Sequence, residues 1–226
     1  MIFRECDLGS PLNDNHALII PPLIIALRPQ VAPYHQALAL FYQQSYIYVP
    51  PFTIEAFETK FQRIKPLVRK IAIDIKPVFS FAWNHDYRTV LRKDDTAYFF
   101  PKPESIESIF EGAFITHAHI SLSSDGLDLS ADGVGEMFLY NFPMWLEGFR
   151  NLTYVEVFIP AVPRYPVSRQ QEKYDEIIGI RSDSLISHAP RTGSLSNTLM
   201  TWVARPGETI DWSKAARHLQ GLSEEM

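Results

Sequence analysis

Apolar residues return at helical spacing through Tyr34, Leu38, Phe41 and Tyr42, which predicts a helix from Pro33 to about Gln44. Upstream, Pro21, Pro22, Pro29 and Pro33 bracket residues 23–27, an apolar piece short enough to expect as an extended core segment. Residues 46–49 read as an aromatic strand closed by Pro50 and Pro51. Thr53 can cap the next helix, Glu55 and Glu58 lie near its positive end, and Ile54, Phe57, Phe61, Ile64 and Val68 form its apolar stripe. Ile71, Ile73 and Ile75 then alternate as a strand. The same step from helix to strand recurs. Pro143 suits a first helical position, Trp145, Leu146 and Phe149 supply an apolar face, and residues 153–159 alternate through Val155, Val157 and Ile159. Two such units fall short of a solenoid.

Between the two units, residues 84–95 are polar and charged and read as a surface excursion. Residues 104–111 suit a short helix. Residues 114–122 suit a strand with Ile115, His117, His119 and Ser121 on one side, and residues 123–135 a turn-rich loop. After the second strand, Pro160, Pro163 and Pro166 are expected to break the chain, residues 169–178 to be helical and residues 182–197 to be the most mobile stretch. Residues 198–204 read as a strand, residues 205–207 as a turn, and Asp211 as the cap of a last helix holding Ala215, Ala216 and Leu219. Helices and strands alternate, so the expected fold is α/β, a mixed β-sheet covered by helices. The helix-strand steps on either side of Gly112 each leave an apolar face that needs the other half. Residues 1–226 are therefore expected to form one globular unit, residues 1–50 packing with a mixed helix and strand part at 51–226.

Composition narrows the classes of function. With 226 residues and 46% apolar content, the chain can bury a full core. A net charge of -5 gives no chain-wide positive field, so nucleic acid is not the expected partner. The single cysteine, Cys6, allows no internal disulfide, which fits an intracellular location, cytoplasmic or nuclear. The longest apolar run, residues 17–27, holds 11 residues and two prolines, too few to span a bilayer. Arg4, Glu5 and Asp7 leave no room for the apolar part of a secretory signal.

The sharpest catalytic pattern is His117-Ala118-His119-Ile120-Ser121. Alternate strand residues share a face, so the pair of imidazoles could meet one metal, yet no third ligand is in sight. His119-Ile120-Ser121 also matches the His-x-Ser step of two-histidine phosphoesterases, whose acid and base need two copies. None of His16, His35, His85, His188 and His218 repeats it. The expectation is a structural pair, with His117, His119 and Ser121 the only catalytic candidates and the histidines the only metal candidates. Asp128, Ser130, Asp132 and Gly133 imitate a calcium loop, but Leu139 stands where the closing carboxylate belongs. No nucleotide-binding glycine motif is present, and no cofactor is expected. The basic run of Lys60, Arg63, Lys65, Arg69 and Lys70 could meet phosphates, with Tyr46, Tyr48 and Phe52 near in sequence for stacking; a solvated helix end accounts for it more simply.

Met1-Ile2-Phe3-Arg4-Glu5-Cys6, Pro22-Leu23-Ile24-Ile25-Ala26-Leu27-Arg28-Pro29 and Tyr34-His35-Gln36-Ala37-Leu38-Ala39-Leu40-Phe41-Tyr42 together resemble a group of fungal F-box-like proteins. The likeness covers about residues 1–75. It implies an F-box-like helical N-terminus over residues 1–50 and a protein-interaction role, since F-box proteins join a Skp-type adaptor of a ubiquitin ligase to a recruited target. The chain starts inside that pattern's first helix, without its Leu-Pro opening, and Gln36 replaces its acidic residue, so the resemblance implies an incomplete module with weakened adaptor docking. Candidate partner contacts are Phe41, Tyr42, Lys60 and Arg63. The alternatives are a phosphoesterase or metal-dependent hydrolase using His117 and His119, and a nucleic-acid contact through residues 60–70.

Overall fold

The computed structural model describes residues 20–49, 61–62, 64–75, 87–93, 96–101, 106, 109–122, 134–188 and 195–224. Alternating β-branched and polar residues favour pleated strands with one buried face, and the chain uses this repeatedly. Strands β1 (Tyr46–Val49), β2 (Lys70–Ile75), β5 (His117–Leu122) and β6 (Tyr154–Pro163) lie side by side in parallel. β8 (Leu195–Val203) runs antiparallel between β6 and β7 (Asp183–His188), giving the order β1-β2-β5-β6-β8-β7. β3 (Tyr87–Lys93) and β4 (Thr96–Pro101) pair separately as an antiparallel hairpin. The mixed six-stranded sheet with helices is the α/β architecture that the alternation of elements implied.

The buried row of the sheet contains Ile47, Ile71, Ile73, Ile75, Ala118, Ile120, Leu122, Val155, Val157, Ile159, Met200 and Trp202. These belong to one apolar cluster that extends from Ile24 to Ala215. Helices α1 (Pro22–Ala26), α2 (Val31–Gln44), α3 (Val134–Asn141), α4 (Arg164–Ile178) and α5 (Ser213–Glu224) contribute to it, as does a 3-10 turn at Phe142–Trp145. Phe142 is its aromatic centre. Its ring meets those of Tyr174, Trp202 and Trp212 at 5.1, 5.8 and 5.2 Å between centroids. Polar anchors fix the same region. Asp175 accepts hydrogen bonds from the Trp202 indole at 2.8 Å and the Ser182 hydroxyl at 2.7 Å, while the Tyr174 hydroxyl donates to the Leu139 and Tyr140 carbonyls.

Several local expectations fail for identifiable reasons. Residues 23–27 are not extended: Pro22 occupies the first position of α1, Ile24 and Ile25 both donate to the Pro21 carbonyl, and Ile24 is the buried residue. The stripe expected to carry a helix to Val68 ends in turns at residues 64–67, because Pro66 lacks an amide donor and disfavours helix at Lys65. Residues 53–60 of that expected helix lie outside the described residues. The surface excursion expected at 84–95 contains β3, and the loop expected at 123–135 gives way to α3 from Val134; residues 123–133, with most of the calcium-like pattern, lie outside the described residues. Gly135 marked a turn in the sequence, but it serves close packing: a Cβ there would stand 2.3 Å from Val162 Cγ1.

Pro160 and Pro163 do not break β6. Among the described residues its pairing with β5 ends at Phe158, and a register shift between Ile159 and Val162 absorbs the irregularity toward β8. α4 also begins at Arg164, before the expected 169, with Pro166 in its first turn. The stretch expected to be mobile, 182–197, supplies β7 and the start of β8, leaving 189–194 outside the described residues. Asp211 behaves as the expected cap, accepting from the Ser213 amide at 3.1 Å and the Ser213 hydroxyl at 2.6 Å. Residues 205–207 turn as expected, with Gly207 at φ 83.

Candidate functional site

The residues that alternate with the buried row share the second face of the sheet, and most of them are polar or aromatic. Strand register sets them in ranks. Tyr46, Lys70, His117, Tyr154 and Val203 are successive neighbours across β1, β2, β5, β6 and β8. Tyr48, Ala72, His119, Glu156 and Thr201 form the next rank, and Asp74, Ser121, Phe158 and Leu199 the third. Most of these side chains are half-buried. Ile115 does not share this face as expected. β5 starts only at His117, and Ile115 is buried in the core.

Two hydrogen-bonded clusters occupy the face. Asp74 accepts from the Tyr48 hydroxyl at 3.2 Å and from the Ser121 hydroxyl at 3.1 Å, joining β1, β2 and β5. Glu156 lies 3.2 Å from His119 Nδ1 through Oε2 and accepts from the Tyr154 hydroxyl through Oε1. His117 is packed against Tyr154, ring centroids 5.3 Å apart, and its Nδ1 is 2.9 Å from Thr116 Oγ1. The Lys70 ammonium lies over the Tyr46 ring, 5.9 Å from its centroid.

This environment moves several proton affinities. The bond to His119 holds the Glu156 carboxyl below its ordinary value, against the opposing pull of burial. Burial, then the Lys70 charge, lowers His117. Burial, reinforced by Glu156, pushes the Tyr46 phenol up to about 12, and burial with the Glu156 bond also raises Tyr154. The face therefore favours the ionised form of the Glu156 carboxyl, the neutral form of the Tyr46 and Tyr154 phenols and the neutral form of His117.

His117 and His119 do share a face, as the sequence implied, but Ser121 donates to Asp74 and belongs to a different cluster from the imidazoles. Among the described residues no group of three or more His, Cys, Asp or Glu side chains could hold a metal ion. Phe41 and Tyr42, candidate partner contacts, are buried in the core, where they hold α2 in place. Lys60 and Arg63 lie outside the described residues. In the same basic run, Arg69 donates to the Pro66 and Val68 carbonyls at 2.8 Å each and lies over Phe114, 5.5 Å from the ring centroid. Sequence reasoning missed Glu156, Tyr154 and Asp74, and named Tyr48 only for stacking beside the basic run. Their signal was available in the polar half of the alternation at residues 154–158 and 70–75, read only for its apolar half.

A second surface lies on α1 and α2. Leu23, Ile25, Val31 and Leu40 are 57, 41, 66 and 50% exposed, half of the eight large apolar residues most exposed among those described. At the strand starts of β5 and β6, a cavity of about 420 Å³ is lined by Phe110, Phe114, Phe149, Arg150 and Asn151, among others. No described helix is long and apolar enough to cross a membrane. Comparison with protein-family models, with curated proteins and with solved structures finds no match to this chain.

Proposed function

We propose that the chain is a protein-interaction module of F-box-like ancestry, with an F-box-like contact surface on α1 and α2 and a sheet face that receives a second protein. One observation carries the reading. Parallel strands are nearly always covered by helices on both faces, which makes each strand apolar throughout. Here β1, β2, β5 and β6 are parallel yet carry a largely polar and aromatic second face whose side chains are only partly buried. Keeping such a face accessible forgoes apolar burial, a cost that recognition explains. The exposed leucine, isoleucine and valine side chains of α1 and α2 support a separate contact with a Skp-type adaptor.

The enzyme alternative draws support from the pairing of His119 with Glu156, but the one hydroxyl it would recruit, Ser121, is committed to Asp74. The nucleic-acid alternative loses the cations of Arg69 and Lys70, which are engaged with carbonyls and rings of the chain itself.

Titration of the full chain with purified Skp-type adaptor tests the reading. The expected dissociation constant is micromolar, about -8 kcal/mol at 1 μM. Leu23→Glu with Leu40→Glu should weaken it at least about tenfold, whereas His119→Gln should leave it unchanged because the open face serves the other partner. No saturable binding by about 100 μM adaptor would remove the F-box-like assignment. Phosphomonoester hydrolysis by the purified chain, abolished in His119→Gln, would move the assignment to the enzyme.

A further inference from the structure

An open sheet ends in two edge strands, and an edge presents a row of backbone N–H and C=O groups that pair with another chain unless something prevents it. The edges of this sheet are β1 and β7. β1 is guarded: it has four residues, and the sequence runs on into Pro50 and Pro51, neither of which can donate an amide to a further strand. β7 is not. Its six residues include no proline, lysine or arginine, and its register against β8 runs without a bulge. Among the described residues no strand pairs with its outer side. Asp183, Ser184, Leu185 and Ser187 are exposed, and Leu185, at 69%, is the most exposed large apolar side chain among the described residues.

We propose that β7 is a homodimer interface, at which two copies of the chain join edge to edge, antiparallel about Leu185, into one continuous sheet. A two-fold axis normal to the sheet makes two copies of a strand antiparallel and keeps opposed residues on the same face. Centred on Leu185, it sets Leu185 opposite the partner's Leu185, Asp183 opposite the partner's Ser187 and Ser184 opposite the partner's Ile186. The exposed leucine is then covered by its own copy, a carboxylate meets a hydroxyl, and no charge meets its like. Centred on Ile186, the axis would set Leu185 against the partner's Ser187 and lose the apolar pair. Leu185 also neighbours Leu199, so the third rank of the open face runs through it into the second copy. A foreign extended segment could use the same backbone groups, but these side-chain matches lie in the strand's own sequence. Because both copies spend the same edge, and β1 is guarded, the assembly closes at two chains. Stable interfaces bury about 1,200–2,000 Å², more than so short a ladder supplies, so the dissociation constant is on the order of tens of micromolar. The contact depends on neither the adaptor surface nor the partner of the open face.

The test is sedimentation velocity of the full chain from about 5 to about 500 μM, with disulfide trapping to read the register. The mass is expected to rise with concentration from 25.9 kDa toward that of two chains. Leu185→Lys, which sets two ammonium groups opposite each other on an exposed position, should raise the dissociation constant at least about tenfold. In a Cys6→Ser background, Leu185→Cys should form an intermolecular disulfide on mild oxidation, since directly opposed strand residues stand about 4.5–5.5 Å apart at Cα. Ser187→Cys, whose two copies would lie roughly 13 Å apart along the strands, should not. A wild type still monomeric at about 500 μM would overturn the proposal and leave the edge to an extended segment of another protein. Undiminished dimerisation of Leu185→Lys, or equal trapping at both cysteine positions, would overturn it as well.

Discussion

Along β5, Ala118, Ile120 and Leu122 are at most 2% exposed and lie in the common core, while His117, His119 and Ser121, one residue away in each case, are only partly buried, His119 and Ser121 bonded to neighbouring strands and His117 packed on Tyr154 of β6. The two faces are made by the same strands in the same register, so backbone geometry cannot account for the difference between them. Side-chain chemistry does. One face is held by dispersion and removal of apolar area from water, and the other by hydrogen bonds that water can partly replace. The comparison predicts that the helix-covered face carries the stability and the open face carries the chemistry.

The largest effect that could break this division is expected at Phe142, whose ring is enclosed by Phe138, Tyr174, Trp202 and Trp212. Phe142→Ala should cost about 3–5 kcal/mol in denaturant unfolding. Because one apolar cluster reaches from Ile24 to Ala215, circular dichroism and tryptophan fluorescence should lose signal in a single coincident transition. Separate transitions would mean two units, each with its own core, as would stable proteolytic fragments cut near residue 112.

Gly135 is the next test. Glycine to alanine on a solvated helix usually stabilises, yet here the added methyl would meet Val162 Cγ1 at 2.3 Å, and Val162 is β-branched and buried. Gly135→Ala should therefore destabilise by about 1–3 kcal/mol, and a stabilised variant would show that α3 does not press on β6.

These two positions also mark what the sequence could disclose. β2 and β5 were legible because Ile71, Ile73 and Ile75, and the alternation around His117 and His119, repeat with the period of a strand. α3 was not, because Gly133 and Gly135 look like turn residues until Val162, 27 positions away, is known to lie against the second of them. β6 was shortened for a similar reason. Pro160 and Pro163 argue against a central ladder, and among the described residues the β5 pairing ends at Phe158, before either proline. At the candidate site, the histidine pair was visible from spacing within one strand, whereas Glu156 and Asp74 reach their partners from other strands 37 and 47 positions away. Strand order, a long-range property, decides those contacts.

A smaller effect is expected on the open face. Ser121→Ala removes one of the bonds to Asp74 and creates almost no cavity, so it should cost about 1 kcal/mol or less. A loss comparable to that of Phe142→Ala would show that the face is sealed from water and that its polar groups are structural keystones.

The finest test uses pH, because the groups whose proton affinity is shifted on this face give it a titration that the apolar face lacks. His117 is held below its ordinary value of 6.5 in the folded chain, first by burial and then by Lys70. As pH falls below about 6.5, the unfolded chain takes up that proton before the folded one does, so the folded state loses stability until pH passes the depressed value. Glu156 adds a second stage. Its carboxyl is held below 4.5, chiefly by His119, so its contribution is complete above that value and is lost as pH falls through the depressed one. On the alkaline side the sign reverses: Tyr46 is raised from 10.0 to about 12, and its contribution is present below the first value and lost as pH rises toward the second. Urea midpoints measured across these ranges should flatten near pH 6 in His117→Gln alone. In His119→Gln the loss below pH 4.5 should shrink while the loss near pH 6 persists, since that change removes the main cause of the Glu156 shift but not the burial of His117. Equal flattening of both stages by either variant would mean that the two imidazoles titrate as one group, and that the two ranks of the open face are a single electrostatic unit.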